Sequence, residues 1–127
     1  MKKKILIFGG SGFIGHNLIL KLLKKNFIIT SVSRKKDQTY NINNKNLTNI
    51  KCDVSKKKLL KEKITTNFDY VINLSGNIDH KKKAETIRTH YIGCKNILNF
   101  VMKKNIKLFI QIGSSLEYGN VPSPQKE

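Results

Sequence analysis

Long apolar runs are missing from this chain, and none of its stretches approaches the roughly 20 residues needed to span a bilayer. A transmembrane helix is therefore excluded, and membrane association is not expected. The opening MKKKILIFGG passes straight into a glycine turn without the small-residue cleavage site of a secretory leader. Cytoplasmic residence is the resulting expectation. Cysteine is scarce too: Cys52 and Cys94 are the only two, without metal-ligand spacing, so a disulfide framework or zinc site has little support. Both read as buried thiols. No internal repeat or low-complexity linker interrupts the 127 residues, which are enough for one domain with a real core and short for a two-domain enzyme.

Negative charge is also in short supply, with 8 acidic against 25 basic residues and a formal charge of +17. Such a balance raises the prospect of a nucleic-acid partner, whose phosphates are met by clustered Lys and Arg. Here only Arg34 and Arg88 are arginines, and the lysines are scattered in short groups at helix ends and in loops. Abundant Lys, Asn and Ile are what AT-rich codons favour, so compositional drift accounts for the charge and no nucleic-acid partner is expected.

What is present is the stretch KILIFGGSGFIG. The apolar run Ile5 to Phe8 leads into Gly9, Gly10, Ser11, Gly12, Phe13, Ile14 and Gly15, satisfying Gly-x-Gly-x-x-Gly between a strand-like and a helix-like segment. That context makes it a dinucleotide fingerprint. Glycines admit a positive φ in the turn and leave no Cβ between backbone and ligand, while the free N–H groups of the following helix offer hydrogen bonds to a pyrophosphate. Gly15 would let helix and strand pack closely. The alternative phosphate loop of ATPases fails because Gly15 is followed by His16 and not by Lys. An ordinary glycine-rich turn is the competing reading.

Strand-length apolar runs alternate with stretches of helical spacing, the pattern of βαβ units. Strands are expected at Lys4–Phe8, Phe27–Ser33, Leu47–Cys52, Asp69–Leu74 and Lys107–Ile112. Helices are expected at Phe13–Lys25, with Ile14, Leu18 and Leu22 on one side and Asn26 closing it, at Lys56–Ile64 with Ser55 as its cap, and at Ala84–Lys104. The last carries Ile87, Tyr91, Cys94, Ile97, Leu98 and Val101 on one amphipathic stripe. Arg34–Asn46 reads as a surface loop. Right-handed crossovers then give a doubly wound, Rossmann-type α/β fold of five parallel strands in order 3-2-1-4-5, with ligands at the carboxyl ends of the strands.

GGSGFIG, KCDV, VINLSG, HYIGCKNIL and GSSLEYG, in that order, make the chain resemble the amino-terminal part of the extended short-chain dehydrogenase/reductases, the epimerase/dehydratase group acting on nucleotide sugars. The resemblance covers essentially the whole chain. An acidic residue ending the second strand marks NAD sites and a basic one accommodates the 2′-phosphate of NADP. This chain has Ser33 and Arg34, followed by Lys35 and Lys36, so NADP is expected in preference to NAD. The resemblance implies adenine contacts for Asp53 and Val54, Asp53 as a helix cap being a compatible alternative. It implies small residues against the cofactor's ribose and diphosphate at Leu74, Ser75 and Gly76. His90 stands where the family usually has Asn and reads as a structural or core histidine. His16 and His80 are assigned no role.

The resemblance also places Ser114 at the catalytic Ser/Thr, with Ser115 as the neighbouring alternative. A hydroxyl there bonds the substrate oxygen at the carbon exchanging hydride, while a separate Tyr, assisted by a Lys four residues later, transfers the proton. That pair is absent from its expected place. Tyr91 and Lys95 match by letter but lie in the helix after the fourth strand, and the match reads as accidental. The Pro-Ser-Pro-Gln-Lys-Glu ending resembles the stretch that usually precedes the true pair. The expectation is thus the NAD(P)-binding part of a nucleotide-sugar epimerase, dehydratase or reductase, with a nucleotide-sugar substrate in the complete enzyme. A non-catalytic NAD(P)-binding module and a basic nucleic-acid-binding domain are the alternatives. Oligomeric state is not legible, a homodimer being one assembly the chain admits.

Overall fold

Strands buried on both faces need apolar side chains at consecutive positions rather than alternate ones, and Lys4–Phe8 (β1) supplies them. Ile5 and Ile7 point to one layer with Ile19 and Ile29, whereas Leu6 and Phe8 point to the other with Val32, Val71, Leu60 and Ile97. In the computed structural model, residues 1–34, 42–77, 79, 81–114, 119, 120 and 122 are described. The further elements are α1 (Phe13–Lys24), β2 (Ile28–Ser33), β3 (Leu47–Lys51), α2 (Lys57–Lys63), β4 (Tyr70–Asn73), α3 (Lys83–Thr86), a π-helical segment (Ile87–Gly93), α4 (Cys94–Val101) and β5 (Leu108–Gln111). The readings made for Lys35, Lys36, His80, Ser115 and Tyr118, and for most of the Pro-Ser-Pro-Gln-Lys-Glu ending, fall outside the described residues.

All four strand pairings are parallel, and the order is β3-β2-β1-β4-β5. Phe8 lies opposite Val32 of β2 and Asn73 of β4, so these three strands end at one level. The chain diverges there, β1 continuing toward β2 on one side while β4 lies on the other, which opens a crevice at the switch point. At the opposite end of the sheet, Asp69 accepts the Lys4 N–H at 2.8 Å and pairs with the Lys107 ammonium at 2.9 Å. Those bonds, led by the Lys4 N–H, hold the Asp69 carboxyl below the usual carboxylate range and raise Lys107.

α1 ends as expected at Asn26, whose φ of 61° closes a Schellman-type cap in which Phe27 N–H reaches Leu22 O and Asn26 N–H reaches Leu23 O. Local expectations fail in three places. Ile14 is 61% exposed rather than packed, because the line from Gly15 to Ile19 faces the sheet and turns Ile14 outward. Ser55 does not cap α2: the cap position is Lys56, without a side-chain bond. Nor does Asp53 cap it, since its Oδ1 accepts the Ser55 N–H and hydroxyl in a turn before the helix.

The third failure is the long helix, which is regular only at its ends. Through Ile87–Gly93 it widens to i→i+5 bonding, and the stripe read from a 3.6-residue period no longer lies on one covered face. Ile87 and Tyr91 are 57% and 65% exposed, while Thr89, Gly93, Asn96, Ile97, Phe100 and Val101 are buried. The buried face docks on the chain leaving β3. A Cβ on Gly93 would stand 2.6 Å from Val54 Cγ2, and Asn96 Nδ2 donates to the carbonyls of Val54 and Ser55 at 3.1 and 2.9 Å. Along the far side of the sheet α1 covers β1 and β2, whereas Leu108, Ile110 and Ile112 remain exposed.

Candidate functional site

Gly9 begins the turn out of β1 with φ +81°, a left-handed conformation open to glycine at little cost. Its N–H bonds Val32 O at 2.8 Å, and a Cβ there would meet the Leu74 and Ser75 backbone at 2.7–2.8 Å. The turn is thus wedged between the ends of β2 and β4. A Cβ on Gly15 would lie 2.5 Å from Gly9 O and 2.7 Å from Gly10 Cα, so α1 presses backbone to backbone on the turn. Gly12 is the α1 cap residue and has no side chain to offer. Its N–H bonds Gly9 O, and the first helical N–H in use is that of His16, to Gly12 O. The amides of residues 13 to 15 are the orphan donors of a helix N-terminus, with the positive end of the dipole behind them.

A cavity of about 510 Å³ opens in front of this turn. Of the residues anticipated from sequence, Gly9, Ser11 and Gly12 line it beside Ser33 and Arg34 at the end of β2, Val54 beyond β3, and Leu74, Ser75 and Gly76 beyond β4. Gly10 and Gly15 do not line it and act through packing. Phe13 and Ile14 stand exposed at the start of α1, outside the lining. Ser114 is exposed three residues past β5, also outside the lining. Val32, Cys52, Glu85 and Thr89 line the cavity and were not anticipated. Thr89 was legible in principle as a small residue one turn before Gly93, the two marking a closely docked helix face.

Asp53 is not among the residues that line the cavity. Burial works against its charge, but the Ser55 hydroxyl and N–H and the nearby charges of Arg88 and Arg34 outweigh it, holding the carboxyl below the usual range. Arg88 lies 3.3 Å from Asp53 Oδ2. Burial pushes the Cys52 thiol up. At the end of β4, the buried Asn73 accepts the Ser75 N–H at 3.0 Å and the Ser75 hydroxyl on Oδ1, and donates to Gln111 Oε1 at 2.7 Å. This network fixes Ser75 against the cavity and ties the ends of β4 and β5 together. Tyr91, the letter match to a proton-transfer pair, is exposed and outside the lining.

Among the described residues no group of three or more His, Cys, Asp or Glu could hold a metal ion, and no helix is long and apolar enough to cross a membrane. Fold and cavity define a Rossmann-type domain whose glycine turn and helix N-terminus sit at the switch point of the sheet. The chain belongs to the NAD dependent epimerase/dehydratase family, whose profile matches residues 5–127. It is 30% identical to a UDP-N-acetyl-alpha-D-glucosaminuronate decarboxylase of Bacillus cytotoxicus over all of its length and 41% of that protein's. It is 32% identical to Protein CapI of Staphylococcus aureus, covering 91% of this chain and 39% of CapI. The fold matches WbmG of Bordetella bronchiseptica, solved with NAD and UDP, at a TM-score of 0.82 and 24% identity, covering 94% of this chain and 40% of WbmG. The chain thus spans about two fifths of the length of the curated relatives it matches.

Proposed function

We propose that this chain is the amino-terminal, dinucleotide-binding portion of an enzyme that moves hydride at a carbon of a nucleotide sugar. The observation that carries the reading is the cavity at the switch point, lined by Gly9, Ser11 and Gly12 directly before α1, whose first amides have no partner within the helix. A dinucleotide fits this donor set. Main-chain N–H groups and the helix dipole suit a pyrophosphate, Ser11 and Ser33 offer hydroxyls, and side-chain-free Gly12 and Gly76 leave room beside them. Val54 and Cys52 provide an apolar wall for a ring. When bound, the nicotinamide supplies the hydride acceptor or donor. Ser114, beyond the carboxyl end of β5, is the hydroxyl assigned to the substrate oxygen. In this reading the uncovered Leu108, Ile110 and Ile112 are where further elements of the enzyme pack.

NADP is the proposed cofactor in preference to NAD. Ser33 and Arg34 stand on the cavity wall where an NAD site would place a carboxylate. A guanidinium bonded to the 2′-phosphate contributes about 1.5–3 kcal/mol, roughly a 10- to 100-fold preference. Fluorescence titration with NADPH and NADH tests this: NADPH binds more tightly, and Arg34→Ala removes most of the difference. Equal affinities in the wild-type chain would end the NADP assignment. Saturation by neither cofactor would end the dinucleotide reading.

A further inference from the structure

Ser75 lines the cavity and stands beside the glycine turn, where a Cβ on Gly9 would lie 2.8 Å from the Ser75 nitrogen. Its partner is the buried Asn73, the last residue of β4. Asn73 Oδ1 accepts the Ser75 N–H at 3.0 Å and the Ser75 hydroxyl as well, while Nδ2 donates to Gln111 Oε1 at 2.7 Å. Gln111 Oε1 also accepts the Cys94 thiol at 3.3 Å, and Gln111 Nε2 donates to Ile112 O at 2.8 Å. A chain of hydrogen bonds thus runs from the end of β5 through the end of β4 to the cavity.

Main-chain groups at both ends set the direction of this chain. The Ser75 N–H can only donate, so the Asn73 atom facing it is the oxygen, and the Asn73 nitrogen is turned to Gln111. The Ile112 carbonyl can only accept, so the Gln111 atom facing it is the nitrogen, and the Gln111 oxygen is turned to Asn73. Each amide is held in one of its two orientations, and the two agree. Asn73 Oδ1 carries no hydrogen, so its bond with the Ser75 side chain uses the only proton that the hydroxyl has. The hydroxyl keeps lone pairs alone for a further partner: it can take a hydrogen bond from a ligand and cannot give one. Phosphate oxygens at neutral pH are acceptors too, so Ser75 is mismatched to the pyrophosphate that the neighbouring turn suits. The groups of a dinucleotide that flank a pyrophosphate and carry hydrogens to donate are the ribose hydroxyls.

We infer that Ser75 is a binding residue that accepts a hydrogen bond from a ribose hydroxyl of the dinucleotide, and that Asn73 and Gln111 are positioning residues that fix its polarity. The ligand part of this inference rests on the proposed function, whereas the direction of the hydrogen-bond chain needs no ligand.

Two measurements separate the parts. Hydrogen exchange of the Asn73 side-chain amide is followed by NMR in the ligand-free, ¹⁵N-labelled wild-type chain and in Gln111→Ala. Protection in the wild-type chain and its loss in the variant are expected, and an exchange rate indifferent to Gln111 overturns the argument for a fixed polarity. Affinities are then measured for NADPH and for its monodeoxy analogues, which lack the adenosine 3′-hydroxyl or the 2′- or 3′-hydroxyl of the nicotinamide ribose, in the wild-type chain and in Ser75→Ala. One neutral hydrogen bond corresponds to about 3- to 10-fold in affinity. One analogue is expected to bind the wild-type chain more weakly than NADPH by that factor, and Ser75→Ala is expected to bind this analogue and NADPH alike. An equal loss for every ligand in Ser75→Ala, no loss for any, or an analogue penalty that persists unchanged in the variant overturns the ribose contact and leaves the dinucleotide reading in place. If Asn73 exchange depends on Gln111 but the wild-type chain is saturated by none of these ligands, the dinucleotide reading falls and the ribose contact with it, while the direction of the hydrogen-bond chain stands.

Discussion

Adding one methyl group at Gly15 tests how the glycine turn is built. Its Cβ would stand 2.5 Å from Gly9 O, 2.7 Å from Gly10 Cα and 2.9 Å from Gly10 C, whereas ordinary contact begins at 3.4 Å. All three atoms are backbone, so no side chain can swing aside, and α1 must retreat by roughly 1 Å. A gap of that size forfeits a quarter to a half of the dispersion contact between the facing surfaces. Overpacking of this kind costs about 1–3 kcal/mol. Against it stands the helix propensity of Ala over Gly, about 1 kcal/mol in a helix interior and less in the first turn where Gly15 sits. The balance is a net loss of about 1–2 kcal/mol, a fall in melting temperature of about 4–8 °C for a domain of this size. Because the retreat displaces Gly9 and the amides of residues 13 to 15, NADPH affinity should fall at least about 10-fold. Thermal melting by circular dichroism and NADPH titration of Gly15→Ala read both effects. A variant melting at or above the wild-type temperature with unchanged affinity would refute the backbone contact between α1 and the turn.

Asp69→Asn should destabilise the chain at neutral pH, with the wild-type advantage shrinking in acid. A lowered folded-state pKa gives stability that is present above the unfolded carboxyl value, about 4, and is lost as pH falls through the folded value. Melting temperatures of both proteins from about pH 6 to about pH 2.5 check this, and a constant difference would contradict it. The thiols of Cys52 and Cys94, both raised by burial, should label slowly with a thiol reagent at neutral pH. NADPH should slow Cys52 further and leave Cys94 unchanged, because only Cys52 lines the cavity. Peptide mapping by mass spectrometry distinguishes the two, and equal protection would count against the site.

The strands were legible because a sheet buried on both faces leaves uninterrupted runs such as ILIF, and the turn was legible because its glycines follow one. Sheet order came from the handedness of crossovers rather than from any residue. The π segment was not legible, since a fixed 3.6-residue period assumes a regular helix and places Ile87 and Tyr91 on a face that the widened turn leaves in solvent. Ile14 was misread for a related reason: the contact of Gly15 with Gly9 and Gly10 sets the rotation of α1, and that contact crosses two elements. Cys52 and Glu85 carry no local pattern that marks a site, and Thr89 is marked only by its one-turn spacing from Gly93. They line the cavity only because β3 and the helix after β4 converge in space on the glycine turn.

The most direct measurement is a map of backbone amide shifts as NADPH is added to the ¹⁵N-labelled chain. The prediction is saturable binding with the largest changes at Gly9, Ser11, Gly12, Phe13 and Ile14, joined by Leu74, Ser75 and Gly76. Absence of saturation, or changes confined to the scattered lysines, would contradict a dinucleotide site at the switch point of the sheet.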